Sequence, residues 1–177
     1  GTGAIEDDGS GSSEGTLVNG PAFSTDAPPD LAKFSSRSIL FDSTNDFMPT
    51  GADATLASKS YSFWAKSSEA GYNPLFDHGG GNIGEYRFRA DGGGRSLLYM
   101  SSGYYRYWDA AAEHADGNWH HWVLYIDHTT ATKSKLYCDG VLQNPATTAS
   151  ATADAYTTGI RIALGPTDYF NGSLSDF

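Results

Sequence analysis

The sequence has little of what several protein classes need. It contains a single cysteine, Cys138, in 177 residues, so an intrachain disulfide is excluded. No apolar run approaches the ~18 residues of a membrane-spanning helix, which argues against membrane insertion. Long helical periodicity is also missing, and the short alanine-rich stretch near residue 110 is too brief to form a stable helix on its own. These absences exclude a helical bundle and a disulfide-stapled fold.

Basic residues are scarce, with 11 Lys and Arg against 21 Asp and Glu and a formal charge of −10. A field of this sign disfavours nucleic acid and anionic membranes as partners. Two interpretations stay open, namely that the charge serves solubility alone or that it supports cation binding.

Glycine and aromatic residues are abundant, with 21 Gly, 11 Tyr and 9 Phe. This composition is typical of an all-β sandwich with many turns, and the length fits one domain. We predict a flexible lead-in over residues 1–15, rich in Gly, Ser and acidic residues, and one sandwich domain over residues 16–177. Residues 144–158 read as a polar loop. Because the chain begins at Gly1, we expect it to be part of a longer protein.

Two segments carry the clearest pattern, Asp116–Val123 and Lys135–Val141. In the first, Trp119 and His121 share one strand face, whereas His120 and Trp122 share the other. Both faces are apolar, which predicts a central strand covered on two sides. In the second, Cys138 alternates with polar positions and is predicted to be a small buried hydrophobe before an Asp-Gly turn.

These segments resemble the DGxWHH and LYxDG motifs of laminin-G-like, concanavalin A-like jelly rolls. Further pieces resemble the same family in the same order: Gly15–Pro21, Ser38–Phe47, Ser60–Lys66, Gly159–Gly165 and Tyr169–Phe177. The resemblance covers most of the chain and implies an antiparallel two-sheet β-sandwich, the concanavalin A-like jelly roll.

Some proteins with this jelly roll are glycoside hydrolases, whose paired carboxylates lie on one strand as Glu-x-Asp-x-x-Glu. None of the five glutamates stands in that arrangement. The Gly-x-Ser-x-Gly pattern at Gly11–Gly15 lies in the Gly- and Ser-rich lead-in and lacks the strand-turn-helix context of a nucleophile elbow. His120 and His121 point to opposite faces of a strand, so they do not converge on one ion. We therefore expect a protein that is not an enzyme, with structural histidines bonded to neighbouring loops.

The best ligand candidate is the run Tyr104–Trp108. Alternation places Tyr104, Arg106 and Trp108 on one face and Tyr105 and Tyr107 on the other. Aromatic faces stack on the apolar face of a sugar ring, and arginines bind hydroxyl, uronate or sulfate groups. The alternative is that these rings pack across strands under arginine stems. The predicted ligand-binding residues on this run and the neighbouring strand are Tyr104, Tyr105, Tyr107, Trp108, Arg87 and Arg89.

A second ligand candidate is the loop that begins at Asp77 and His78 and continues through three glycines to Asn82. Glycines let a backbone approach a ligand closely, and loops at the ends of jelly rolls often form binding surfaces. Asp77 and His78 therefore join the predicted ligand-binding residues, with a simple hairpin loop as the alternative.

Calcium is the cofactor that the resemblance implies, in a structural role, because many relatives carry one. Asp42, Asp46 and Asp176 are the candidate ligands, since Ca²⁺ takes carboxylate and carbonyl oxygens. The alternative for Asp42 and Asp46 is turn chemistry. Asn171 begins an Asn-Gly-Ser sequence, which is formally a glycosylation acceptor and equally a hairpin signal.

These observations predict a non-catalytic, lectin-like module that binds a glycan or polysaccharide, in an extracellular or secreted protein. The alternative is a structural or assembly module of a virion or extracellular filament surface. In that case its exposed aromatics would bind other copies or subunits.

Overall fold

A computed structural model describes residues 4–5, 15–29, 37–50, 58–77, 85–89, 95–101, 104–109, 115–149, 159–165 and 168–176. Its strands, in chain order, are β1 (Ala4–Ile5), β2 (Gly15–Thr16), β3 (Ala22–Ser24), β4 (Ser38–Asp42), β5 (Met48–Pro49), β6 (Lys59–Lys66), β7 (Tyr72–Asp77), β8 (Glu85–Arg89), β9 (Arg95–Ser101), β10 (Tyr104–Asp109), β11 (Trp119–Ile126), β12 (Lys135–Cys138), β13 (Val141–Leu142), β14 (Pro145–Ala149), β15 (Arg161–Ile162) and β16 (Asn171–Ser175). A 3₁₀ turn covers Ala131–Lys133. Within the described ranges no helix has the length and hydropathy to cross a bilayer.

The strands form two seven-stranded antiparallel sheets. The first sheet has the order β13-β12-β11-β6-β16-β4-β3, and the second has the order β14-β10-β9-β8-β7-β15-β5. β1 and β2 pair separately. This arrangement confirms the predicted all-β, two-sheet antiparallel sandwich.

The hydrophobic core lies between the two sheets. Rings from the first sheet meet rings from the second: Phe63 lies 6.3 Å from Tyr86, and Tyr61 lies 4.7 Å from Phe76. The largest fully buried side chains are Trp108, Trp122, Tyr86, Phe41, Phe63, Phe76 and Phe170. Each aromatic ring of this kind removes a large apolar area from water, so the core supplies most of the folding free energy.

The central meander follows the predicted order, with β8, β9 and β10 paired in sequence. The prediction of a loop over residues 144–158 is wrong at its start. Pro145–Ala149 forms β14, which pairs with β10 at the edge of the second sheet. Proline at the first position of an edge strand is tolerated because no inner ladder bond is lost.

The predicted flexible lead-in over residues 1–15 is described only at three positions. Ala4 pairs with Thr16 and Ile5 pairs with Gly15. Gly15 itself is buried, and a β-carbon there would meet the Met48 side chain. The described fold therefore includes Ala4, Ile5 and Gly15 of that segment, while residues 1–3 and 6–14 lie outside the described residues.

Candidate functional site

Strand β10 divides the predicted ligand-binding run between the core and the surface. Arg106 is 8% exposed and Trp108 is 0% exposed, so both point into the sandwich. The Arg106 guanidinium donates from Nη1 to the carbonyl oxygen of Ala131 at 2.9 Å and lies 5.6 Å from the Trp108 ring. The prediction that Trp108 contacts a ligand is therefore wrong, because this ring is fully buried in the hydrophobic core.

The other face of β10 is directed outward. Tyr105 and Tyr107 are half-buried, and their rings meet edge to face at 5.7 Å with an interplanar angle of 72°. We call this pair the Tyr105 face. The backbone register pairs Tyr107 with Leu97 and Leu97 with Arg87.

Three further predicted residues are described only through their backbone pairing. Tyr104 pairs with Ser101, and Arg89 pairs with Tyr72 and Arg95. Together with Arg87, their side chains lie outside the described part of the structure, so their predicted ligand contacts stay predictions.

Asp77 has a structural partner instead of the predicted ligand role. It is 2% exposed, and its two carboxylate oxygens accept from Arg161 Nε at 2.8 Å and Nη2 at 2.5 Å. This bidentate pair joins β7 to β15, where the two residues are register partners. A buried carboxylate needs such a partner to offset its desolvation. The neighbouring His78, and Asn82, lie outside the described residues.

The three predicted calcium ligands occupy different environments. Asp42 is exposed and accepts from the backbone N–H of Thr44 at 2.9 Å, which is an Asx turn. Asp46 is 4% exposed, and burial together with the nearby charge of Asp42 raises its pKa. Asp176 is exposed, with φ +49°. Among the described residues these carboxylates do not form a three-ligand group, and the calcium expectation stays a prediction.

Asn171 lies inside β16, so the interpretation of Asn-Gly as a hairpin turn is wrong. Its backbone N–H donates to Asn73 Oδ1 at 2.7 Å, and its carbonyl accepts from Ser67 Oγ at 2.6 Å. Its side-chain amide donates to Glu69 Oε2 at 3.4 Å. The acceptor side chain is thus half-buried among other polar groups, and glycosylation stays a prediction.

The first sheet carries an aromatic outer surface that the sequence analysis did not select. On β11 the inward residues Trp122, Leu124 and Ile126 are buried, whereas the outward ones are half-exposed. The prediction that β11 is covered on both of its faces is therefore wrong for the outward face, whose side chains are partly exposed to solvent. We define the Trp64 face as the half-exposed ring side chains of β6, β11 and β12: Trp64, Trp119, His121, Tyr125 and Tyr137.

The centre of the Trp64 face is a ring pair. Trp64 and His121 are register partners, and their ring centroids lie 5.2 Å apart with an interplanar angle of 40°. His121 Nε2 is 2.9 Å from the Ser62 hydroxyl oxygen. The imidazole is thereby oriented, with its ring tilted against the indole.

One end of the Trp64 face is held by Asp26, which comes from the segment after β3. One carboxylate oxygen accepts from Lys66 Nζ at 2.7 Å, and the other accepts from Trp119 Nε1 at 3.0 Å. The Asp26 carbonyl also accepts from the Ser38 hydroxyl at 2.6 Å. The hydrogen bonds from Lys66 and Trp119 lower the pKa of Asp26. These bonds fix a polar border beside the rings.

His120 faces the opposite side of β11 from His121, as predicted, and contacts carboxylates of neighbouring loops, as expected. The expectation of a loop partner is wrong for His121, whose contact is with Ser62 on β6. Its Nδ1 lies 2.7 Å from Asp139 Oδ2, and its Nε2 lies 3.2 Å from Asp116 Oδ2. Burial opposes the charge on His120, but the hydrogen bonds to Asp139 and Asp116 outweigh it and raise the histidine pKa. Cys138 is 3% exposed, which confirms the prediction of a buried thiol.

Solved structures with the same fold include domain 4 of AbnA, a GH43 extracellular arabinanase from Geobacillus stearothermophilus, in complex with arabinotriose. That match has 16% identity and a TM-score of 0.61, and it covers 91% of this chain and 79% of that one. The binding domain of Paraclostridial Mosquitocidal Protein 1 matches at 10% identity and a TM-score of 0.62, covering 98% of this chain and 46% of that one.

No curated protein sequence matches the chain significantly. A laminin-G-type model of the concanavalin A-like lectin/glucanases superfamily matches residues 42–177. This match covers most of the sequence and agrees with the two-sheet sandwich. The chain therefore belongs to the laminin-G-like family of the concanavalin A-like lectin/glucanases superfamily.

Proposed function

We propose that this domain is a non-catalytic carbohydrate-binding module that acts outside the cell and binds a glycan through the Trp64 face. The observation that carries the proposal is the Trp64–His121 ring pair, half-exposed in the middle of a sheet and oriented by Ser62. The arabinotriose complex of the AbnA domain, which shares the fold, is consistent with a sugar ligand.

The geometry of the Trp64 face suits a sugar ring. Pyranose and furanose rings have an apolar C–H face that packs on aromatic planes, while their hydroxyls need polar partners at the margin. The Trp64 and His121 rings supply the planes. Ser62, Lys66 and Asp26 supply hydroxyl, ammonium and carboxylate groups around them.

The charge of the chain narrows the glycan class. A formal charge of −10 repels polyanionic chains at a distance. Arg106 belongs to the run that the sequence predicted to bind a ligand. Its side chain is directed into the core, so its guanidinium does not contact a uronate or sulfate. The proposed ligand is accordingly a neutral oligosaccharide or polysaccharide.

A second candidate function is assembly into a virion or filament surface, and it rests on the edges of the first sheet. Phe23 and Leu40 are 55% and 44% exposed on β3 and β4 at one edge. Val141 and Leu142 are 64% and 52% exposed on β13 at the other edge. Exposed apolar residues on edge strands favour association with another strand edge.

The deciding experiment is a glycan array followed by calorimetry on any hit, with calcium and again with chelator. We expect Trp64→Ala to weaken binding at least ~10-fold, as loss of a central aromatic anchor does. Tyr72→Ala is the matched control, because Tyr72 is a 46% exposed aromatic residue on β7 and lies outside the Trp64 face. A blank array, together with concentration-dependent oligomers in sedimentation, would replace this proposal with the assembly function.

A further inference from the structure

Three side chains that can each offer a metal ligand lie close together in the first sheet, at the end where β11 begins and β12 ends. A histidine nitrogen of His120, the thiol sulfur of Cys138 and a carboxylate oxygen of Asp139 all lie within 4.8 Å of one another. The register explains the meeting. Trp122 pairs with Cys138, and His120 lies two residues earlier on the same face, next to the turn that Asp139 begins.

The donor set matches the preferences of zinc. Zn²⁺ binds imidazole nitrogen, thiolate sulfur and carboxylate oxygen in a tetrahedron, with bonds of ~2.0 to 2.3 Å, so its ligand atoms lie about 3.3 to 3.8 Å apart. His120 Nδ1 and Asp139 Oδ2 are now 2.7 Å apart. An ion placed between them requires a small separation of these two atoms and a small approach of the sulfur.

The surroundings already have the supporting contacts of a metal centre. Metal-bound histidines nearly always donate their second ring nitrogen to a carboxylate or carbonyl, which fixes the tautomer. Asp116 lies 3.2 Å from His120 Nε2 in that position. The His121 backbone N–H donates to Asp139 Oδ1 at 2.9 Å, which orients the carboxylate and directs Oδ2 toward His120.

Burial distinguishes the roles of the ligands. Cys138 is 3% exposed, whereas Asp139 is exposed at the start of a turn. The thiol therefore lies on the core side and the carboxylate on the solvent side, so an ion has an entry path past Asp139.

We propose that His120 Nδ1, Cys138 Sγ and Asp139 Oδ2 bind a divalent transition-metal ion of the zinc type, with Asp116 as the outer carboxylate. When the ion binds, the Cys138 thiol proton and the proton on His120 Nδ1 are released to solvent, so that the thiolate and the Nδ1 lone pair become ligands, while His120 Nε2 keeps its proton toward Asp116. This site is separate from the Trp64 face, because His120 lies on the opposite side of β11 from His121. It is also separate from the predicted calcium ligands, and it does not depend on the proposed glycan function.

The test uses Co²⁺ as a spectroscopic probe on the full chain without a histidine tag, kept reduced with a phosphine. We expect one equivalent of Co²⁺ to give visible bands of tetrahedral intensity and a near-ultraviolet thiolate-to-metal band. One equivalent of Zn²⁺ should bleach both. Zn²⁺ should also raise the melting temperature, because it binds the folded chain.

Matched variants assign the ligands. Cys138→Val fills the same buried volume and should remove the thiolate band and the Zn²⁺-dependent rise in melting temperature. Asp116→Asn should keep the band and weaken binding ~10- to 100-fold, as loss of an outer-shell partner does. Asp109→Asn, which removes an exposed carboxylate at the end of β10, should change neither readout.

Two results would overturn the proposal. One is a wild-type protein that gives no thiolate-to-Co²⁺ band at millimolar metal. The other is a band that survives Cys138→Val. The metal-free melting temperature of each variant shows that it is folded, so a lost band cannot be attributed to unfolding.

Discussion

The outer faces of the two sheets differ in what their aromatic residues can offer. On the Trp64 face an indole and an imidazole lie 5.2 Å apart with a 40° tilt, beside a polar border held by Asp26. On the Tyr105 face two phenol rings meet edge to face at 72°. An edge-to-face pair satisfies its own ring quadrupoles. At 40° the Trp64 and His121 planes are closer to parallel than the two phenols, so these half-exposed rings can offer their faces to a sugar.

The comparison also explains why the richer aromatic sequence is the weaker candidate. The run Tyr104–Trp108 contains four aromatic residues and an arginine, but it forms one strand, so alternate residues enter the core. The Trp64 face draws its rings from β6, β11 and β12, so every contributing strand places an outward residue there. A broad platform therefore arises from pairing between strands and not from a dense local run.

The largest effect should come from the inward side of β10. Trp108→Ala removes a fully buried ring and should lower the free energy of unfolding by ~3 to 5 kcal/mol. Tyr105→Ala, three positions away on the outward side, should cost under ~1 kcal/mol, as surface changes usually do. Urea denaturation of both variants measures the difference. Equal losses would mean that β10 is not divided between core and surface.

Gly172→Ala should disturb the Trp64 face through the backbone of the neighbouring strand β6. Gly172 has φ +148°, and a β-carbon there would meet the backbone carbonyl of Lys66 on β6, two residues from Trp64. We expect a loss of about 2 to 3 kcal/mol, the range of overpacked sites, together with weaker glycan binding.

Ser173→Ala is the control for Gly172→Ala, because it changes the next residue of β16 without a positive φ. Denaturation and calorimetry on the same samples separate the stability effect from the binding effect. If glycan affinity is unchanged in a measurably destabilised Gly172→Ala protein, the Trp64 face does not carry the ligand.

Alanine variants on each of the two faces test directly which face binds the glycan. Trp64→Ala should weaken glycan binding at least ~10-fold, equal to about 1.4 kcal/mol. Tyr105→Ala and Tyr107→Ala should leave the dissociation constant within ~2-fold, because these two rings meet edge to face and do not offer two ring faces of similar orientation. Calorimetry against the array hit gives all three values. If the Tyr105 and Tyr107 variants lost more affinity than the Trp64 variant, the glycan would bind to the Tyr105 face instead.

The sequence was sufficient for the fold because its signals were local. Alternation along Trp119–Ile126 and the Asp-Gly turn after Cys138 predicted strands that the structure contains. Strand β14 was missed, because Pro145–Ala149 has neither alternation nor bulky residues and forms only by pairing with β10. An isolated Asn-Gly signal likewise failed at Asn171, where strand pairing with Asp42 outweighs turn preference.

The candidate sites were less predictable, because they depend on contacts between distant residues. Alternation identifies which residues share a face, but it does not tell which face is inward. Arg106 points inward, where its guanidinium donates to the carbonyl oxygen of Ala131, 25 residues away. The contact of Asp26 with Trp119 spans 93 residues. The proximity of Cys138 to His120 likewise follows from the register of β11 and β12, which no local pattern specifies.

The smallest expected effect concerns the Asp26 contacts at the border of the Trp64 face. The hydrogen bonds from Lys66 and Trp119 lower the Asp26 pKa, so this carboxylate stabilises the folded state above its unfolded pKa of ~3.9. That contribution is lost as the pH falls through the lower pKa of the folded state.

Because the Asp26 side chain is 49% exposed, we expect Asp26→Asn to cost less than ~1 kcal/mol at neutral pH. The difference from wild type should shrink toward pH 3. Unfolding at pH 3 and pH 7 measures it, and Asp42→Asn, which removes an exposed carboxylate from a turn, is the control. A difference that grows on acidification would mean that Asp26 does not hold Trp119 and Lys66 through its charge.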